Sequence, residues 1–240
     1  MRRATGCRGF TLIELLVAIS LMALMTVLSW RGLDGVSRAQ TRLQQQSDDV
    51  LALQATLAQW GADLEAMAEQ PDTPSLDWDG RALRIVRRSS AGPGEGLRVV
   101  AWARRSEAGQ GLWLRWQSPP LLTRSELALA WQKAQVWAQT PSDDDLVREV
   151  RTVALDQWQI FYYRGNAWSN PLSSADSATA VGAASGASAA AEAPVPPPTA
   201  TGVLAAVPDG VRLVLTLAPG QAIHGTLTRD WVRGAMGGGK

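Results

Sequence analysis

Few side chains in these 240 residues could do chemistry, and they do not converge. There is one histidine, His224, and one cysteine, Cys7. A single imidazole removes the multi-histidine metal sites, and with no partner in view His224, in a segment read as a strand, is a structural or surface residue. Asp143-Asp144-Asp145 is the one dense acidic group. Its carboxylates could offer oxygens to calcium, but the D-x-D-x-D-G spacing of a calcium loop is missing. After Pro141-Ser142 the run reads instead as a solvated loop or the start of a helical turn, where free backbone N–H groups favour aspartate. Ser89-Ser90 and Ser173-Ser174 have no nucleophile-elbow context, and Gly92–Gly96 lacks the phosphate-cradling G-x-x-x-x-G-K-[ST] order and reads as a hairpin turn. The expectation is a non-enzyme: no catalytic residues, no metal site and no cofactor.

One polar residue stands out by its position. Phe10–Trp30 is an apolar run of 21 residues interrupted by Glu14. At ~1.5 Å per residue such a run spans about 30 Å as a helix, the thickness of a bilayer's hydrocarbon core. Arg2, Arg3 and Arg8 precede it with no acid among them. Positive charge is retained on the cytoplasmic side, so the chain is expected to be a single-pass protein with a cytoplasmic N-terminus and the remainder exported. A cleaved secretory signal needs a shorter core followed by a small-residue site, and the run ends instead in Ser29-Trp30-Arg31-Gly32. A plain anchor fits the length but not Glu14, because a carboxylate in a spanning helix costs about 2.5–3.5 kcal/mol at the centre. That side chain asks for a partner.

Gly9-Phe10-Thr11-Leu12-Ile13-Glu14 resembles the type III signal of type IV pilins and pseudopilins: a glycine, then F-T-L-x-E, then an apolar helix. The resemblance implies that a prepilin peptidase cuts between Gly9 and Phe10, that the same enzyme methylates the new amino group of Phe10, and that Glu14 serves subunit assembly. An obvious partner for its carboxylate is the α-amino group of a neighbouring subunit. Removal of residues 1–9 would leave 20 basic against 22 acidic residues, a balance of −2 from the +1 of the whole chain. Such a chain has no electrostatic pull toward nucleic acid, and the pairs Arg87-Arg88 and Arg104-Arg105 lack the continuous basic and aromatic stripe that binding would need.

The elements behind this segment set the fold class. Val36, Leu43, Val50, Leu57 and Leu64 recur every seven residues, with Ala39, Leu53, Trp60 and Met67 at the offset of three. This predicts an amphipathic helix that continues the membrane helix over 31–70 and ends at Gln70-Pro71. From Trp78 the pattern turns to short alternating runs: Leu83–Arg87, Leu97–Ala103, Leu112–Gln117 and Arg148–Tyr163, with Gly165-Asn166 as a turn before Trp168. Ser125–Gln139 fits either a helix or a strand. Val211–Leu217 and Ala222–Val232, joined by Pro219-Gly220, read as a terminal hairpin. The 11 tryptophans are expected to supply core bulk between helix and sheet. The fold class is α+β: a long N-terminal helix packed on antiparallel β-sheets. The expected divisions are a cleaved basic leader (1–9), a transmembrane helix (10–30), the amphipathic helix (31–70), a β-rich globular domain (76–172), an Ala/Ser/Pro-rich disordered insertion (173–206) and a C-terminal hairpin (207–235).

Two further stretches resemble one class of the family. Trp30-Arg31-Gly32-Leu33-Asp34-Gly35, and Arg151–Trp168 followed by Pro208-Asp209-Gly210-Val211-Arg212-Leu213, are similar to the J-class minor pseudopilins of type II secretion. This implies a non-enzymatic subunit at the tip of a pseudopilus in the bacterial inner membrane, its globular part periplasmic. The implied partners are the prepilin peptidase/methyltransferase, the I- and K-class minor pseudopilins, the major pseudopilin and the inner-membrane assembly platform. A minor pilin of a type IV pilus is the alternative within the family, and a signal-anchored periplasmic enzyme the alternative outside it.

Overall fold

The computed structural model describes residues 10–90, 94–173 and 206–234. The leader 1–9, including Gly9 and Cys7, lies outside the described residues, as does nearly all of the expected insertion at 173–206. The chain forms two units, Met1–Asp48 and Asp49–Lys240.

Helix α1 runs over Leu12–Glu65. In the first unit every described residue is exposed, including Val36 and Leu43 of the heptad stripe. In the second unit the same stripe becomes a packing face, with Leu53, Trp60 and Leu64 buried. The helix ends at Glu65 and not at Gln70, as the sequence reading had it. The backbone turns there to meet the sheet: the Arg88 N–H donates to the Ala66 carbonyl and the Ala68 N–H to the Val86 carbonyl, both at 2.9 Å, around a Met67–Arg87 bridge.

The strands are β1 (Leu76–Trp78), β2 (Ala82–Arg88), β3 (Leu97–Glu107), β4 (Gln110–Gln117), β5 (Glu149–Arg164), β6 (Ala167–Ser169), β7 (Gly210–Leu217) and β8 (Gly225–Val232). They form an antiparallel sheet in the order β1-β2-β3-β4-β5-β7-β8, with β6 paired to β5. Together with α1 this is the α+β architecture the sequence predicts. The 16-residue β5 joins two pairings: Glu149–Ala154 along β4, then Leu155–Tyr163 along β7. Register shifts in β5 at both junctions let one strand bend between the two partners. Two hairpins turn on residue pairs with positive φ, Ala108-Gly109 and Gly165-Asn166, the geometry that fits the right-handed twist of paired strands.

The segment left open between helix and strand is α2 (Arg124–Gln139). Thr123 and Glu126 form its capping box: the Glu126 N–H donates to the Thr123 hydroxyl, and the Thr123 N–H to the Glu126 carboxylate. The aspartate run opens α3 (Asp143–Val147), a helical turn in which the Ser142 N–H and hydroxyl both donate to Asp145.

The sheet separates two buried clusters. On the α1 side, Leu53, Trp60 and Leu64 meet Leu83 and Ile85 of β2, Val100 and Trp102 of β3, Trp113 of β4 and the inward residues of β7. On the α2 side, Leu127, Ala130, Ala134 and Trp137 meet Val86, Val99, Ala101, Leu114 and Trp116. Trp102 lies 4.5 Å from Trp113 between ring centres, and Trp116 stacks on Trp137 at 6.2 Å. Tryptophan therefore fills both interfaces. Gly111 is fixed by close approach, since a Cβ there would stand 2.1 Å from the Leu155 carbonyl oxygen.

Candidate functional site

The first turn of α1 carries the residues singled out by the sequence. Phe10 is exposed and precedes the helix. Thr11 caps it. The Thr11 N–H and hydroxyl donate to the same Glu14 carboxylate oxygen at 3.1 and 3.0 Å, and the Glu14 N–H faces the Thr11 hydroxyl at 3.4 Å. This is a capping box, in which a helix's free N-terminal donors and an acidic side chain at the third position satisfy one another. Glu14 therefore has a partner inside its own chain. The signal was present as Thr11-x-x-Glu14 ahead of an apolar run, and Thr11 is the functional neighbour that sequence reasoning missed. Two further polar side chains of the run bond back to their own helix: the Ser20 hydroxyl donates to the Leu16 carbonyl and the Thr26 hydroxyl to the Met22 carbonyl, each at 2.8 Å. In hydrocarbon, where water offers no alternative, such internal pairing leaves an apolar exterior.

That exterior is continuous. Leu12, Ile13, Leu15, Leu16, Val17, Ile19, Leu21 and Met22 are each more than half exposed. Among the described residues α1 is the one helix long and apolar enough to cross a membrane, with an 18-residue window of mean hydropathy 2.3.

The other sequence candidates belong to the second unit. His224 is exposed in the loop before β8 and not within a strand, because Gly220 and Gly225, both with positive φ, hold residues 218–224 in a turn. No group of three or more metal-ligating side chains occurs among the described residues. Arg87 turns inward to Asp63, Arg104 donates to the Leu155 carbonyl at 2.8 Å, and Arg105 pairs with Glu149 and Glu107. Arg87, Arg104 and Arg105 thus serve the fold.

The model of the prokaryotic N-terminal methylation motif matches residues 5–30. The chain carries a prokaryotic N-terminal methylation motif. A type II secretion system protein J of Klebsiella pneumoniae is 31% identical over 120 residues, covering 50% of this chain and 52% of that protein. The chain thus spans about half the length of the curated relative it matches. The motif is that of pilin-like proteins, and it coincides with the capped start and apolar first turns of α1.

Proposed function

We propose that the chain is a minor pseudopilin of a type II secretion system: a structural, non-enzymatic subunit at the pseudopilus tip that primes assembly for protein export. The observation that carries this reading is the methylation motif over residues 5–30, seated on a helix that opens with Phe10 exposed and Glu14 capped. In this account the prepilin peptidase cuts between Gly9 and Phe10 and methylates the Phe10 amine. The chain stays in the bacterial inner membrane by a single pass, N-terminus cytoplasmic and globular unit periplasmic.

Glu14 serves assembly. An unpaired carboxylate inside the bilayer costs a few kcal/mol, and the Thr11 donors offset part of that while the subunit waits in the membrane. The α-amino group of a neighbouring subunit supplies the opposite charge once the helices pack together. In this reading the energy for assembly is supplied by another component of the system.

The likeness to a protein J favours the pseudopilus over a type IV pilus, for which the N-terminal motif would be the same. Affinity purification of the tagged chain from native membranes tests the choice. Recovery of I- and K-class minor pseudopilins and of the major pseudopilin is the expected result. Recovery of type IV pilus proteins alone would overturn the assignment.

A further inference from the structure

Asp63 is a fully buried carboxylate on α1, and its two oxygens collect donors from the helix and from three adjacent strands. Oδ1 accepts from Gln59 Nε2 at 2.9 Å and from Arg115 Nη2 at 2.8 Å, and also from Arg87 Nη1. Oδ2 accepts from the Trp102 indole at 2.9 Å and from Arg115 Nε at 2.8 Å. Arg87 is on β2, Trp102 on β3 and Arg115 on β4, so one side chain ties the last turns of α1 to the middle of the sheet.

The apolar contacts around it do not choose a position for the helix. Leu53, Leu57, Trp60 and Leu64 of α1 follow one another at steps of three and four. A slide of α1 by one turn, about 5.4 Å, therefore sets apolar side chains where apolar side chains had been. Beside the backbone bridge of Ala66–Ala68 to β2 just past the helix end, Asp63 is the side chain of α1 that breaks this degeneracy. The helical residues one turn before it are Gln59 and Trp60, those just past the helix end are Ala66 and Met67, and none is ionic. After such a slide both guanidiniums would lie against the helix with no counter-charge, and removing one partner of a buried pair costs far more than the pair contributes.

We infer that the Asp63–Arg87–Arg115–Trp102 cluster is a register lock: it selects one seating of α1 on the sheet and contributes uniqueness more than stability. A single polar residue plays this part in coiled coils, where it fixes alignment between faces that apolar residues alone would leave interchangeable. This inference goes beyond the proposed function and stands independently of it.

The 11 tryptophans make the lock observable, because Trp60, Trp102 and Trp113 lie at this interface and each indole N–H gives one NMR signal. The full chain, solubilised in detergent with isotope-labelled tryptophan, is compared with two variants. Asp63→Asn is expected to lower the folding equilibrium constant on the order of a hundredfold or more and to shift the Trp102 signal. Asp63→Leu combined with Arg87→Met and Arg115→Met is expected to keep that constant within about tenfold of the parent, as charge-free replacements of buried ion clusters do. Its Trp60, Trp102 and Trp113 signals should be doubled or broadened. Three results would overturn the lock: an Asp63→Asn chain as stable as the parent, a charge-free variant with one sharp set of signals, or a charge-free variant that does not fold.

Discussion

The two faces of the sheet are held by the same three groups in opposite arrangements. On the α1 face the helix supplies the carboxylate, Asp63, and the sheet supplies the indole of Trp102 with two guanidiniums. On the α2 face the helix supplies the indole, Trp137, and the sheet supplies the carboxylate Glu149 with Arg105. The first cluster sets one carboxylate against two cations. The second is balanced, with Glu107 bridging Arg105 and Arg151 at its more open end. A closed cluster with surplus charge fails abruptly when its one anion is lost. An open, balanced one has water and a second carboxylate to fall back on.

The largest effect should therefore follow Asp63→Ala, which leaves two guanidiniums unpaired and lowers stability by about 3–5 kcal/mol, read from urea unfolding of the full chain followed by tryptophan fluorescence. Glu149→Gln should cost less, about 1–3 kcal/mol, because Glu107 keeps a carboxylate on Arg105 and the amide oxygen can still accept from Trp137. Equal losses at the two sites would remove the contrast drawn between the faces. Thr123→Ala, at the capped start of α2, should cost about 1 kcal/mol in the same assay.

Acid sharpens the comparison further, with a smaller effect. Burial alone would raise the Asp145 carboxyl, but the Ser142 hydroxyl and N–H and the nearby Lys133 ammonium outweigh it and hold the group below its ordinary 3.8. A carboxyl lowered on folding stabilises the protein above its unfolded value and loses that contribution as pH falls through the folded value. The contact of α3 with α2 should thus weaken below about pH 4, and Asp145→Asn should flatten that part of the stability–pH curve. An unchanged slope in the variant would show that other carboxyls carry the acid response.

Much of this was legible beforehand because it depends on local rules. The apolar run, the glycine-centred turns and the alternating strands are written within windows of a few residues, and they placed the long helix, most of the strands and the motif at Gly9–Glu14. The end of α1 was misplaced because Ala66–Ala68 leave the helix to bridge β2, a contact that neighbouring residues do not announce. His224 was drawn into a strand because Ile223 and Leu227 suit one, while the positive φ of Gly225 delays β8 until after it. Asp63 was invisible for a deeper reason. Among the polar residues of an amphipathic helix it looks like part of the solvated face, and only the arrival of Arg87 and Arg115 from 24 and 52 residues away makes it a buried centre. Glu14 stands out in the sequence as a charge in an apolar run, and its local partner Thr11 is legible from the T-x-x-E spacing of a capping box.

The central claim is that this N-terminus is a processed pilin-like signal, and intact-mass analysis of the chain purified from the membranes of a host that contains the peptidase tests it most directly. The account predicts a mass lacking residues 1–9 and gaining one methyl group on Phe10, with both changes abolished in Gly9→Leu. A full-length, unmethylated chain from that host would contradict it.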